Sequence, residues 1–183
     1  MTGASGSGGR DRAANGRDAM DDAARNRDEL DAMFRSDRYA GRLGATLEDW
    51  GGGWARVGLE VADTHLNFAG WLHGGVTFSL GDMAFAVASN SWGRLCVALS
   101  VDVQFLASAS PGTALTATCR ERHRTTRTGA YLIEVRTAPP AGDDPADDPA
   151  DGALIGSLHA LVHRTNRWHL GEDRWSPAWR AAH

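Results

Sequence analysis

One carboxylate, Asp82, stands in the middle of HGGVTFSLGDMAFAVASNS, an otherwise apolar run from residue 73 to residue 91. Burying an ionised carboxylate costs several kcal/mol unless it is paired or reaches water. Two readings follow. Asp82 either reaches the edge of a core and pairs with an arginine, or it is a general base or nucleophile tuned by its surroundings. The same run opens with His73-Gly74-Gly75. A helix start presents unpaired N–H groups and a partial positive charge, and glycine lets the atoms of another molecule approach the backbone. The triplet is therefore either an oxyanion hole for a tetrahedral intermediate or a glycine-rich entry that turns the chain. An acid two turns downstream strengthens the first reading, because one helix then carries both features.

The run carrying Asp82 is apolar on nearly every side, which marks a buried helix. It is too short, and too polar at both ends, to cross a membrane. Before it, residues 28–43 repeat apolar side chains at helical steps (Leu30, Met33, Phe34, Tyr39) and stop at glycine. Residues 54–61 alternate, with Val57, Leu59 and Val61 on one side and Arg56 and Glu60 on the other, as a strand with one wet face does. Strand patterns follow at 95–106, 113–124, 130–137 and 154–164. In the first of them Leu95, Val97, Leu99, Val101, Val103 and Phe105 alternate strictly. Pro111-Gly112 and Thr128-Gly129 supply turns. Consecutive strands with short turns pair antiparallel, and one long apolar helix needs a sheet to wrap it. The fold class is α+β, an antiparallel β-sheet wrapped around a long central helix.

The chain has 183 residues, enough for one domain. Residues 1–27 are small and polar with almost no large apolar side chain, and read as a disordered arm. Residues 28–170 form the domain. Residues 171–183 are a tail whose tryptophans have no obvious place. The Pro- and Asp-rich segment at 138–152 reads as a loop. The formal net charge is −4, and all 19 basic residues are arginine. Nothing global points to a nucleic-acid or membrane partner. Cys96 and Cys119 fall in strand patterns, far from a metal or redox spacing, and read as buried free thiols of a cytoplasmic protein. The first residues lack the apolar core of a signal peptide. No Gly-x-Ser-x-Gly elbow and no Gly-rich nucleotide loop is present. His159 and His163 share a strand face without a third ligand, so a structural pair is preferred to a metal site. No metal and no cofactor is expected.

NFAGWLHGGVTFSLGDMAFAVASNS resembles the phenylacetic acid degradation (PaaI-type) family of hotdog-fold acyl-CoA thioesterases. The shared pattern is an Asn, then His-Gly-Gly after six residues, an Asp nine beyond that His, then Ala-Phe-Ala and Asn-Ser. VALSVDVQFLASASPGTALTATCRE and RTGAYLIEV also look like strands of that family, so the likeness covers roughly residues 43–164. It implies the hotdog fold, self-association as a homodimer or homotetramer with sites at the subunit interface, and an acyl-CoA substrate. Carried onto this sequence, it implies that Asp82 activates water or attacks the thioester, that the Gly74 N–H polarises the carbonyl, and that His73 and Asn67 position substrate or water. Ser100 matches a position where relatives place a water-orienting hydroxyl. Gly81 departs from the alanine that relatives carry, a change worth roughly 1 kcal/mol of helix stability. Arg120, Arg122 and Arg124, on one strand face, and Arg127 at the turn are either holders of CoA phosphates or a solvated sheet face. A non-catalytic acyl-CoA-binding hotdog protein is the alternative. It would normally have lost the acid and gained a DNA-binding module, and this chain keeps Asp82. A hydratase of the same fold needs an Asp/His pair on a different motif, which is absent.

Overall fold

The computed structural model describes residues 10–138 and 152–183. Helix α1 (Arg10–Arg35) and short helix α2 (Arg38–Leu43) precede the hairpin β1 (Thr46–Gly51) and β2 (Trp54–Glu60). Helix α3 (Gly74–Asn90) is followed by β3 (Arg94–Phe105), β4 (Ala114–Arg124), β5 (Thr128–Thr137) and β6 (Leu154–Trp168), and a short helix α4 (Pro177–Ala182) closes the chain. The six strands form one antiparallel sheet in the order β1-β2-β4-β5-β6-β3. The α+β class and the central helix are as the periodicity predicts.

Helix α3 is seated on the sheet by its small residues. Leu80, Ala84 and Ala88 are fully buried. A methyl group at Gly81 would meet both Leu158 methyls at 3.0 Å, so glycine here brings the helix close to β6. Phe85 packs edge-on against Tyr131 of β5, ring centres 5.4 Å apart.

Strand β1 escapes the periodicity analysis because its register shifts between Leu47 and Asp49. A bulge breaks the two-residue alternation that marks a strand. The helical stretch at 28–43 is two helices, not one. Asp37 interrupts it by accepting the N–H groups of Tyr39 and Ala40 as the N-cap of α2, and Gly44 ends α2 at φ 78°. The strictly alternating row on β3 does not keep to one face; Val101 and Val103 pack against the core. Val97, Leu99 and Phe105 are more than half exposed, the register shifts between Ala98 and Ser100, and β3 is a sheet edge.

The disordered arm at 1–27 also needs correcting. Residues 1–9 lie outside the described residues, but α1 begins at Arg10, and Asp22 and Asn26 are buried. They are buried against the tail, which is itself folded. Asp22 accepts the Ser176 N–H, Asn26 and Arg25 donate to the Arg174 carbonyl, and Arg174 pairs with Glu29. Composition gives the segment no apolar surface of its own; hydrogen bonds to the tail hold it instead. Trp175 and Trp179 are buried and stack, ring centres 5.7 Å apart, and Trp179 donates to the Trp92 carbonyl. The boundary drawn at residue 170 therefore separates parts that pack as one body. The loop at 138–152 falls mostly outside the described residues, at 139–151. Among the described residues, no helix is long and apolar enough to cross a membrane.

Removing residues 1–27 is expected to lower the melting temperature by several degrees, because it uncovers Trp175 and leaves the Ser176 and Arg174 backbone unpaired. Trp175→Ala is expected to cost about 3–5 kcal/mol, the usual range for emptying a buried tryptophan site. Urea unfolding followed by far-UV circular dichroism measures both.

Candidate active site

Helix α3 begins where its loop is locked. The Asn67 side-chain oxygen accepts the N–H groups of Ala69 at 2.9 Å and Trp71 at 3.2 Å, and the Asn67 N–H donates to the Trp71 carbonyl. Leu66 and Leu72 then bridge as an antiparallel pair, and the His73 N–H donates to the His65 carbonyl. His73 caps the helix, its Nδ1 accepting the Gly75 N–H at 2.8 Å. Within the chain, Asn67 and His73 thus fix the backbone that presents Gly74. The Gly75, Val76 and Thr77 N–H groups have acceptors. The Gly74 N–H has none among the described residues. A Cβ at Gly74 would come within 3.2 Å of the Phe105 ring. A backbone N–H without an acceptor is the kind of donor an oxyanion hole uses, and the absent side chain leaves room for the Phe105 ring.

Asp82 is half-buried on α3. Burial raises its pKa above the usual carboxylate value, and the nearby Asp37 carboxylate raises it further. No arginine pairs with Asp82 among the described residues. Helix α2 is held over α3 here by a 2.8 Å hydrogen bond between the Tyr39 and Ser79 hydroxyls. A cavity of about 410 Å³ opens between α1, α2 and α3, with Asp37, Phe34, Met83 and Val87 in its wall.

Eight residues separate Gly74 from Asp82, about 12 Å along a helix axis. Ser100 lies exposed on β3 and makes no hydrogen bond to Asp82, Gly74 or His73.

The arginines do not share a face. The register of β4 shifts between Glu121 and His123, which turns Arg124 to the opposite side from Arg120 and Arg122. Arg124 pairs with Glu121 and lies 4.3 Å over the Trp92 ring. Arg120, Arg122 and Arg127 are exposed.

Residues 69–142 match the thioesterase superfamily. The acyl-coenzyme A thioesterase PaaI of Escherichia coli is 40% identical over 104 residues, which span 57% of this chain and 74% of that protein. The chain belongs to the thioesterase superfamily. Among solved structures of this superfamily, the E. coli PaaI protein from the phenylacetic acid degradation operon superposes with TM-score 0.68 and 31% identity, covering 81% of this chain and 96% of that one. A mutant of the phenylacetic acid degradation protein PaaI of Thermus thermophilus gives 0.61 and 30%, covering 70% and 100%. The PaaI-type likeness and the hotdog fold both hold.

Following the Asp82 carboxyl carbon by NMR is expected to show a midpoint above that of an unperturbed aspartate. Asp37→Asn removes one of the two causes, so it should move that midpoint down. An unmoved midpoint would mean that burial alone sets the affinity of Asp82 for its proton.

Proposed function

We propose that this thioesterase hydrolyses an acyl-CoA to the free acid and CoA at sites shared between subunits. The observation that carries the reading is a pair of groups on α3 that have no partner among the described residues, a desolvated Asp82 without a cation and a Gly74 N–H without an acceptor.

Asp82 takes a proton from a water molecule, and the resulting hydroxide attacks the thioester carbonyl carbon. The carbonyl oxygen becomes an oxyanion and receives the Gly74 N–H. Collapse of the tetrahedral intermediate breaks the carbon–sulfur bond. The CoA thiolate leaves and recovers the proton from Asp82. Direct attack by the Asp82 carboxylate, through an anhydride that water then opens, uses the same groups. Among the sequence candidates, Ser100 is kept for orienting water, and Arg120, Arg122 and Arg127 for CoA phosphates; Arg124 is committed to Glu121 and Trp92. The acyl group is aryl-acetyl, benzoyl or medium-chain, and the cytoplasm is the proposed location.

The 12 Å between Gly74 and Asp82, eight residues at about 1.5 Å each, supports sites built from two chains, with Asp82 from one and Gly74 from the other. The exposed row on edge strand β3 supplies a means of association. Unpaired strand edges and contiguous exposed apolar side chains are self-pairing surfaces, and Phe105 at the end of that row lies against Gly74. A homodimer or homotetramer follows, and sedimentation should find no active monomer at micromolar concentration.

Asp82→Asn should lower turnover on acyl-CoA at least about a hundredfold, the low end for losing a general base, while the fold persists. A group whose folded pKa is raised weakens the fold as pH climbs from the unfolded toward the folded value. The variant should therefore melt higher than the parent at neutral pH and equal it in acid. Gly74→Pro removes the N–H at a position where helices accept proline, and should also be nearly inactive. Co-refolding the two dead variants should restore about a quarter of the parental activity, because random pairing of symmetric dimers leaves one intact site in half of them. No recovery would place both groups of each site in one chain, and near-parental turnover of Asp82→Asn would end the hydrolase reading.

A further inference from the structure

We infer that the cavity between α1, α2 and α3 is an acyl-chain tunnel, and that it selects an unbranched medium-chain acyl group of about ten carbons. This rests on the hydrolase reading above, since it takes the thioester carbonyl to sit at Asp82.

On α3 the cavity wall begins at Met83, the residue next to Asp82. Asp37, the carboxylate that faces Asp82, stands in its wall, and so does Ala86, which shares a face of α3 with Asp82. Asn90 of α3 is in the wall as well, with Leu95 and His169 at that end of the helix. Asp82 to Asn90 is about 12 Å along the helix. An extended chain advances roughly 1.2 Å per bond, so about ten bonds reach the far end. The volume agrees. An apolar cavity of about 150 Å³ is enough for benzene, and this one is about 410 Å³. A benzoyl or phenylacetyl group would leave much of it empty.

Several polar groups of the wall are already bonded within the chain. Arg35 donates to Asp31 and to the Leu47 carbonyl. Asp37 accepts the N–H groups of Tyr39 and Ala40. The Asn90 oxygen accepts from the Cys96 N–H and from His169 Nε2, each at 2.8 Å, and its amide donates to the Ala86 carbonyl. Burial and the nearby Arg167 lower the pKa of His169, so the imidazole is neutral at pH 7. What remains facing the guest is chiefly Met33, Phe34, Leu47, Met83, Val87 and Leu95. Methionine side chains are unbranched and adaptable, as suits a flexible guest. Much of this wall comes from residues 33–47, outside the segment that matches the superfamily at 69–142.

The test is kcat/KM for butyryl-, octanoyl-, decanoyl-, palmitoyl- and phenylacetyl-CoA, on the full chain and on Leu95→Trp and Leu95→Ala, with folding checked by circular dichroism. Thermal stabilisation by each acyl-CoA is measured beside free CoA on the same samples. The parent should prefer octanoyl- or decanoyl-CoA over both butyryl- and phenylacetyl-CoA by at least about tenfold. Leu95→Trp shortens the far end and should move the optimum to shorter chains. Leu95→Ala should move it to longer ones. Thioester cleavage with a butyryl or phenylacetyl optimum, or with an optimum that neither variant moves, overturns the tunnel and leaves the hydrolase standing. Absence of cleavage, with Leu95-dependent stabilisation by decanoyl-CoA above that by CoA, keeps the tunnel and overturns the hydrolase. Neither cleavage nor such stabilisation overturns both.

Discussion

The close seat of α3 on the sheet sets the terms for every other feature of this molecule. Gly81, Ala84 and Ala88 let the helix axis approach Leu158 and Ile133 without gaps, and tight packing transmits small displacements rather than absorbing them. Where the helix starts is settled just as firmly, by the Asn67 loop and the His73 cap. The free N–H of Gly74 and the carboxylate of Asp82 are thereby held at fixed positions on one rigid rod. Their separation along the helix is a property of helix geometry, about 12 Å for eight residues.

Asp82 gains its chemistry from what is missing around it. A carboxylate beside an arginine is held in its charged form and makes a weaker base. This chain has 19 basic residues, all arginine, yet none pairs with Asp82 among the described residues. The N-cap duty of Asp37 places another negative charge opposite instead. Arg35, next to the same cavity, is neutralised by Asp31 and the Leu47 carbonyl. Local helix capping and local ion pairing therefore decide the electrostatics of the site.

How far the sequence disclosed all this follows from which physical signals are local. The bounds of α3 were legible because a buried helix between a histidine cap and a serine leaves a continuous apolar run. Strands β4 to β6 were legible because their alternation survives along most of their length. Signals failed where an inserted residue resets the alternation. The bulge near Glu48 hid β1, and the one near His123 put Arg124 on the wrong side of β4. Residues 22–27 gave no apolar signal because their contacts are hydrogen bonds to a segment about 150 positions away. Asp82, Gly74, His73 and Asn67 were found by residue type. That Asn67 and His73 serve the backbone leading into Gly74 needed the hydrogen bonds themselves. Asp37, His169 and the cavity wall carried no signal, since each matters through a neighbour distant in sequence.

The molecule divides its labour along these same lines. Gly74 and Asp82 sit in the stretch that matches the superfamily, on an element whose position is over-determined by packing. The cavity wall comes largely from α1, α2 and the strand after them, which are attached to the core by side-chain bonds such as Tyr39 to Ser79 and Trp50 to Asp31. On the proposed reading, changes in that outer layer would alter which thioester fits without touching Gly74 or Asp82. The tail anchors the layer from the other side. Trp175 and Trp179 pack beside Leu30 of α1, the Trp175 indole donates to the His169 carbonyl, and His169 lines the cavity. Tail and first helix thus hold one another, and through His169 the same contacts hold the wall against which an acyl chain would end.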